Sequence, residues 1–186
     1  MILPIVLYGN PILRETAKEV EKNHPNIKEL VENMYETMRK ADGVGLAAPQ
    51  IGLSLRLFVV DVTTLKNDKD LKADLANSPF TLTLLNPEIL ERTGEVISRE
   101  EGCLSLPQIH EKVARNNHIK IKYYDTDFQE HIDEYDGFFA RIIQHEFDHI
   151  EGHVFTDRIS PIRKQLIKSK LLNVIKRKTK VEYKIK

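Results

Sequence analysis

The stretch with the most chemical potential is Gln144-His145-Glu146-Phe147-Asp148-His149. Two histidines four residues apart fall on one face of a helix, about one turn from each other. Their imidazoles can converge on one metal ion, and the intervening Glu146 then stands beside that ion as a general base. A zinc-like catalytic site needs a third protein ligand and one open position for water. Around the motif the sequence is apolar, with Phe138, Phe139, Ile142, Ile143, Phe147 and Ile150. A helix apolar on nearly every side is buried, and buried His and Glu need partners. The plainer alternative is an amphipathic helix with solvated His and Glu.

The third ligand separates the enzymes that use this motif. In the metzincin pattern Gly152 matches the glycine, but Phe155 stands where the next histidine belongs and His153 is displaced by two residues. A thermolysin-like site takes a glutamate from a later helix. The acids after His149 are Glu151, Asp157 and Glu182, none in a comparable helical setting. Cys103, in Glu101-Gly102-Cys103-Leu104-Ser105-Leu106-Pro107, is left by elimination. A lone cysteine is commonly a small buried hydrophobe. This one lies between a glycine and a proline, in a segment too irregular for a plain strand. The expected set is Cys103, His145 and His149 with an open position. A second unusual stretch is Gly43-Val44-Gly45-Leu46-Ala47-Ala48-Pro49-Gln50-Ile51-Gly52. Its glycines permit close backbone approach or a turn packing small residues under the core. As a phosphate loop it fails, lacking a G-K-[ST] and carrying a proline where a helix would run. Gln50 is a polar amide in an apolar context and needs a reason.

The elements that must position these groups fit an α+β chain. Apolar residues at Ile27, Leu30, Val31, Met34, Tyr35 and Met38 follow helical spacing, with Asn26 as the expected cap. Strands are expected over 55–62, 81–85, 89–97 and 119–124, with Asn86-Pro87 ending the second. The charged run Lys66-Asn67-Asp68-Lys69-Asp70 marks 63–79 as a solvated surface insertion. Strands followed by one long buried helix argue for antiparallel or mixed sheets packed around a central helix that carries the HExxH motif. With 186 residues and no obvious linker, one domain spanning 1–186 is expected, ending in a basic helix and tail over about 160–186. The 28 basic and 28 acidic residues exert no global pull toward DNA or membrane. The single cysteine forbids an intrachain disulfide and suits a reducing compartment. The apolar start, Met1 to Leu7, has no basic n-region and is interrupted by Pro4, so it is not read as a signal peptide. No apolar run reaches membrane-spanning length, and the expected location is cytoplasmic.

Gly43 to Gln50, Glu101 to Ser105, and Gln144 to His149 with Gly152 together resemble the three signature motifs of the peptide deformylases, in their order and at similar separations. The resemblance extends from the N-terminal segment to Pro161. It implies an α+β metalloenzyme that removes the formyl group from the N-terminal formylmethionine of nascent polypeptides. It implies one divalent ion, ferrous iron by family expectation, with nickel, cobalt or zinc as substitutes. By the same resemblance Cys103, His145 and His149 are the ligands and Glu146 the acid/base. Gln50 and the Leu104 backbone N–H bind the formyl oxygen. Val44, Phe138 and Ile142 form the methionine pocket, and Gly45 hydrogen-bonds the peptide. His110 stands in a region where bacterial relatives often carry arginine. From Arg163 to Lys186 ten basic residues face Glu182 alone. The plain reading is a docked helix with a solvated basic face; the sharper one is contact with ribosomal RNA.

Overall fold

The computed structural model describes every residue from Met1 to Lys186. Its backbone is one five-stranded antiparallel sheet whose strands lie in chain order. These are β1 (Gly45–Ala47), β2 (Leu57–Asp61), β3 (Thr81–Cys103), β4 (Leu106–Tyr124) and β5 (Glu130–Asp136). No parallel ladder is present; the parallel pairings are two isolated bridges, Ile5 with Ile185 and Lys18 with Leu55. The mixed arrangement left open by the sequence is thus resolved as antiparallel. β2 is buried at all five positions, which is why its sequence, Leu57-Phe58-Val59-Val60-Asp61, is apolar until the last residue.

The helix α1 (Ile27–Lys40) forms where the periodicity places it, and buries Ile27, Val31, Met34 and Met38. Burial of each such side chain contributes about 1.5–3 kcal/mol. Asn26 does not cap it by its side chain: the residue is left-handed, with φ 59°, and makes no capping bond. The helix α2 (Gly137–Ile150) carries the metal motif and is buried at every position from Phe139 to Ile150 except Phe147. Phe139, Ala140, Ile143 and Ile150 pack with Phe58, Val60, Leu84 and Ile121 of the sheet in the largest of three apolar clusters. The helix is therefore central.

Asn86-Pro87 does not end a strand. β3 runs through it with a register shift between Leu85 and Glu88. Asn86 takes φ 48° and clamps the backbone of Val20, accepting from its N–H (2.7 Å) and donating to its carbonyl (2.9 Å). Further shifts at Ile89/Glu91, Thr93/Val96 and Glu101/Cys103 bend the β3–β4 hairpin, as extra residues on one strand do. The 63–79 segment is not wholly solvated: Leu75 is fully buried. The basic helix expected within about 160–186 is split at Ile167 into α3 (Pro161–Leu166) and α4 (Lys168–Ile175). Ile167, Leu171 and Val174 are buried there, whereas Leu166 and Ile175 face outward. Beyond α4 the chain returns to the body, where Ile185 bridges Ile5. No helix is long and apolar enough to cross a membrane.

Candidate metal centre and active site

Two elements deliver three atoms that could hold a metal ion. Cys103 ends β3, and His145 and His149 lie one turn apart on α2. One donor atom from each falls within 4.8 Å of the others. The Cys103 sulfur is 3.2 Å from His149 Nε2. His145 Nδ1 hydrogen-bonds Glu101 Oε2 at 2.9 Å, which orients the ring so that Nε2 is left for the centre. Two imidazoles and a thiol at this separation fit a divalent cation.

The electrostatics agree with that fit. Burial alone would raise the Cys103 thiol, but the imidazoles of His149 and His145 outweigh it and hold it at about 5. Burial would depress His145, yet its hydrogen bonds to Cys103 and Glu101 pull it well above the usual imidazole range. A thiol held this low ionises readily, and a thiolate beside two imidazoles is a donor set that suits a divalent cation.

Glu146 is buried between the two histidines in sequence and is 4 % exposed, with its Oε2 unpartnered. Burial raises its carboxyl to about 7, against the lowering pull of His145 and His149. Gln50 lines the same cavity, 1 % exposed, in the 3-10 turn Ala48–Ile51. The Ala47 N–H donates to Gln50 Oε1 at 2.8 Å, so the amide presents Nε2 inward. That nitrogen lies 3.4 Å from the Cys103 sulfur and 3.3 Å from Ser105 Oγ. This supplies the reason Gln50 lacked in the sequence.

Glu146, Gln50, Leu104, Val44, Gly45, Phe138, Ile142, Cys103 and His145 all line one cavity of about 840 Å³. His149 lies beneath it, fully buried. Every residue singled out from the sequence is thus in or against one space. Several others were not foreseen. Arg115 grips Glu101 through Nε (2.6 Å) and Nη2 (2.8 Å), and its Nη1 reaches Asp148 at 2.9 Å. Arg141 adds a 2.7 Å bond to Glu101, and Arg158 a 2.6 Å bond to Asp148. Burial would raise Glu101, but Arg115 and His145 hold it far below the usual carboxylate range. Asp148 is likewise held low by Arg158 and Arg115 against its burial. Glu101 stood inside a motif and Arg141 one turn before His145, which is the only signal the sequence offered for them.

The family profile described as polypeptide deformylase matches residues 2–165. The chain belongs to the peptide deformylase family. Among curated family members, it is 47% identical to the peptide deformylase of Christiangramia forsetii, covering 100% of this chain and 96% of that one. Against that of Flavobacterium psychrophilum the identity is 48%, covering 100% and 97%. The crystal structure of the peptide deformylase from Thermus thermophilus superposes with a TM-score of 0.82 at 37% identity, over 95% of this chain and 99% of that one. The deformylase structure from Thermotoga maritima gives 0.75 at 43% identity, over 87% and 99%.

Proposed function

We infer that the chain hydrolyses the N-formyl group of N-terminal formylmethionine on nascent polypeptides, releasing formate. Family membership supports the reaction. The observation that carries the site assignment is the convergence of Cys103, His145 and His149 within 4.8 Å beneath a cavity that Glu146 and Gln50 face. In this reading Cys103, His145 and His149 hold one divalent ion, which when bound supplies Lewis acidity. Ferrous iron is the proposed ion, with nickel, cobalt or zinc able to replace it; a mixed thiolate and imidazole set suits all four.

The chain's own groups account for the proton and charge movements. Glu146 takes the proton of the attacking water and returns it to the leaving amine as the C–N bond breaks. A carboxyl raised to about 7 can both accept and donate near neutral pH. The Gln50 amide and the Leu104 N–H donate to the formyl oxygen as it gains charge. Val44, Phe138 and Ile142 border the cavity as an apolar slot for the methionine side chain. Gly45 lies on β1, an edge strand with one side unpaired, which suits backbone bonding to an extended peptide. The tail belongs to the same catalytic unit in this reading, since Lys180 to Tyr183 border the cavity. The cytoplasm is the proposed compartment, supported by the single cysteine. A ribosomal RNA contact is supported by the basic character of 163–186 alone.

The test is hydrolysis of formyl-Met, acetyl-Met and free-Met peptides, with metal content measured on anaerobically prepared protein. Formate release from the first substrate only is expected. Glu146→Ala should keep its metal and lose about 10²–10⁴-fold in kcat. Near-normal turnover in that variant with metal bound would remove Glu146 from the acid/base role.

A further inference from the structure

The Leu104 N–H is useful as a donor only if the turn around it is held. Cys103 pairs with Leu106, leaving Leu104 and Ser105 as a two-residue connection between β3 and β4. Such connections favour positive φ at one or both positions, because those turns follow the twist of the strands. Neither Leu104 nor Ser105 has positive φ. The turn is therefore of the hand that splays a hairpin, and outside contacts must keep it in place.

Those contacts can be named. The Ser105 carbonyl accepts from the Tyr8 N–H at 2.8 Å, and its hydroxyl lies 3.3 Å from the Gln50 amide. The Leu104 carbonyl accepts from the Tyr183 phenol at 2.6 Å. That carbonyl belongs to the central peptide of the turn, the unit that rotates when a turn changes type. Tyr183 is itself presented by a segment pinned at both ends. Gln108 Nε2 donates to the Lys180 carbonyl at 3.1 Å. At the other end, Ile5 N–H donates to the Lys184 carbonyl (2.8 Å) and Lys186 N–H to the Ile5 carbonyl (2.9 Å). Between the pins, Lys180 to Tyr183 wall the cavity that Gln50 and Glu146 face. The family match ends at residue 165, so this wall comes from beyond it. Burial and the nearby Cys103 sulfur push the phenol up to about 12, which keeps it a donor across the neutral range.

We propose that Tyr183 is a positioning residue for deformylation: its O–H fixes the Leu104–Ser105 peptide and thereby keeps the Leu104 N–H aimed at the formyl oxygen. This rests on the assignment of Gln50 and Leu104 as donors to that oxygen. The test uses the full-length, metal-loaded enzyme with a formyl-Met peptide, comparing Tyr183→Phe with Gln50→Ala. Tyr183→Phe removes one neutral hydrogen bond and should lower kcat by about 3- to 10-fold, with KM and metal content unchanged and Tm lower by about 4 °C at most. Wild-type kcat in Tyr183→Phe beside a large loss in Gln50→Ala would overturn the role of Tyr183 and leave the site assignment standing. Wild-type kcat in Gln50→Ala would overturn the assignment, and the role of Tyr183 with it. A Tyr183→Phe enzyme that loses metal, or whose Tm falls by about 10 °C or more along with its kcat, would make Tyr183 a structural residue, which also overturns the proposal.

Discussion

His145 and Gln50 face one cavity from two unlike supports. His145 is braced by Glu101, which Arg115 and Arg141 grip in turn, while Arg115 and Arg158 hold Asp148 on the next turn of α2. Gln50 is braced by a backbone N–H, a serine hydroxyl and a thiol sulfur, the last two at 3.3 and 3.4 Å. In the first support the carboxylates and arginines are charged and most are buried, so removing one strands the others in a low dielectric. In the second, the Gln50 amide is itself neutral and two of its three contacts are long, so its loss breaks no ion pair. The ligand side should consequently fail as a fold, and the donor side as a catalyst.

Arg115→Met is the largest break. It leaves Glu101 and Asp148 without their shared buried cation and should cost about 3–5 kcal/mol. Thermal melts should show a Tm lower by roughly 10 °C. Metal affinity should drop about 10–100-fold as the brace on His145 loosens. An unchanged Tm would show the two supports to be alike after all. Gln50→Ala comes next, with kcat lower by about 10²–10³-fold, or roughly 3–4 kcal/mol, at constant Tm and metal content. Early melting with metal loss would instead make Gln50 a structural amide of the Gly43–Gly52 loop. Ser105→Ala sharpens the neutral side, since it deletes one 3.3 Å contact to the Gln50 amide. A fall in kcat of about 2- to 5-fold is expected, and steady-state kinetics that match wild type would leave the restraint to Ala47 and Cys103.

Asp61→Asn is the smallest and isolates burial from charge. Asp61 accepts from Arg39 Nε (2.7 Å) and from the Thr63 N–H (2.8 Å), but Arg39 is largely exposed. Burial would raise the Asp61 carboxyl, and the bonds from Thr63 and Arg39 hold it below its usual value. A carboxylate depressed by folding contributes stability that is present above its unfolded pKa of about 3.9 and lost as pH falls through the folded value. Asp61→Asn should therefore cost about 1 kcal/mol at pH 7, with the gap to wild type closing at acid pH. Denaturant midpoints at neutral and acid pH read this directly; a gap that widens on acidification would reverse the sign and refute it.

The motif on α2 and the stripe on α1 were legible because apolar spacing and metal-ligand spacing are both local. The long strands were not. β4 turns Ile109, Glu111, Val113 and Arg115 inward while Gln108, His110, Lys112 and Ala114 face out. Two of the four inward residues are charged, so hydrophobic alternation reports only half of the strand. Asn86-Pro87 reads as a stop because turn residues usually end strands. Here a bulge absorbs the pair, and a clamp on Val20, distant in sequence, stabilises the left-handed Asn86. The three motifs supplied the residues that converge on the cavity, but not the arginines that brace them. Arg115 and Arg141 carry the residue type most often found at surfaces, and only tertiary pairing with Glu101 explains their burial. Tyr183 left no trace in the pattern, since its one partner is a backbone carbonyl far away in the chain.

Gly45 has a consequence for how this sequence can drift. A Cβ built there would stand 2.7 Å from Glu146 Cδ and 2.8 Å from Cγ. The space a side chain would take at residue 45 is already filled by the carboxylate of residue 146. Alanine, the smallest step away from glycine, would swing that carboxylate off its rotamer before affecting anything else. The two positions are therefore sterically coupled: a side chain at 45 requires the carboxylate at 146 to move or to shorten.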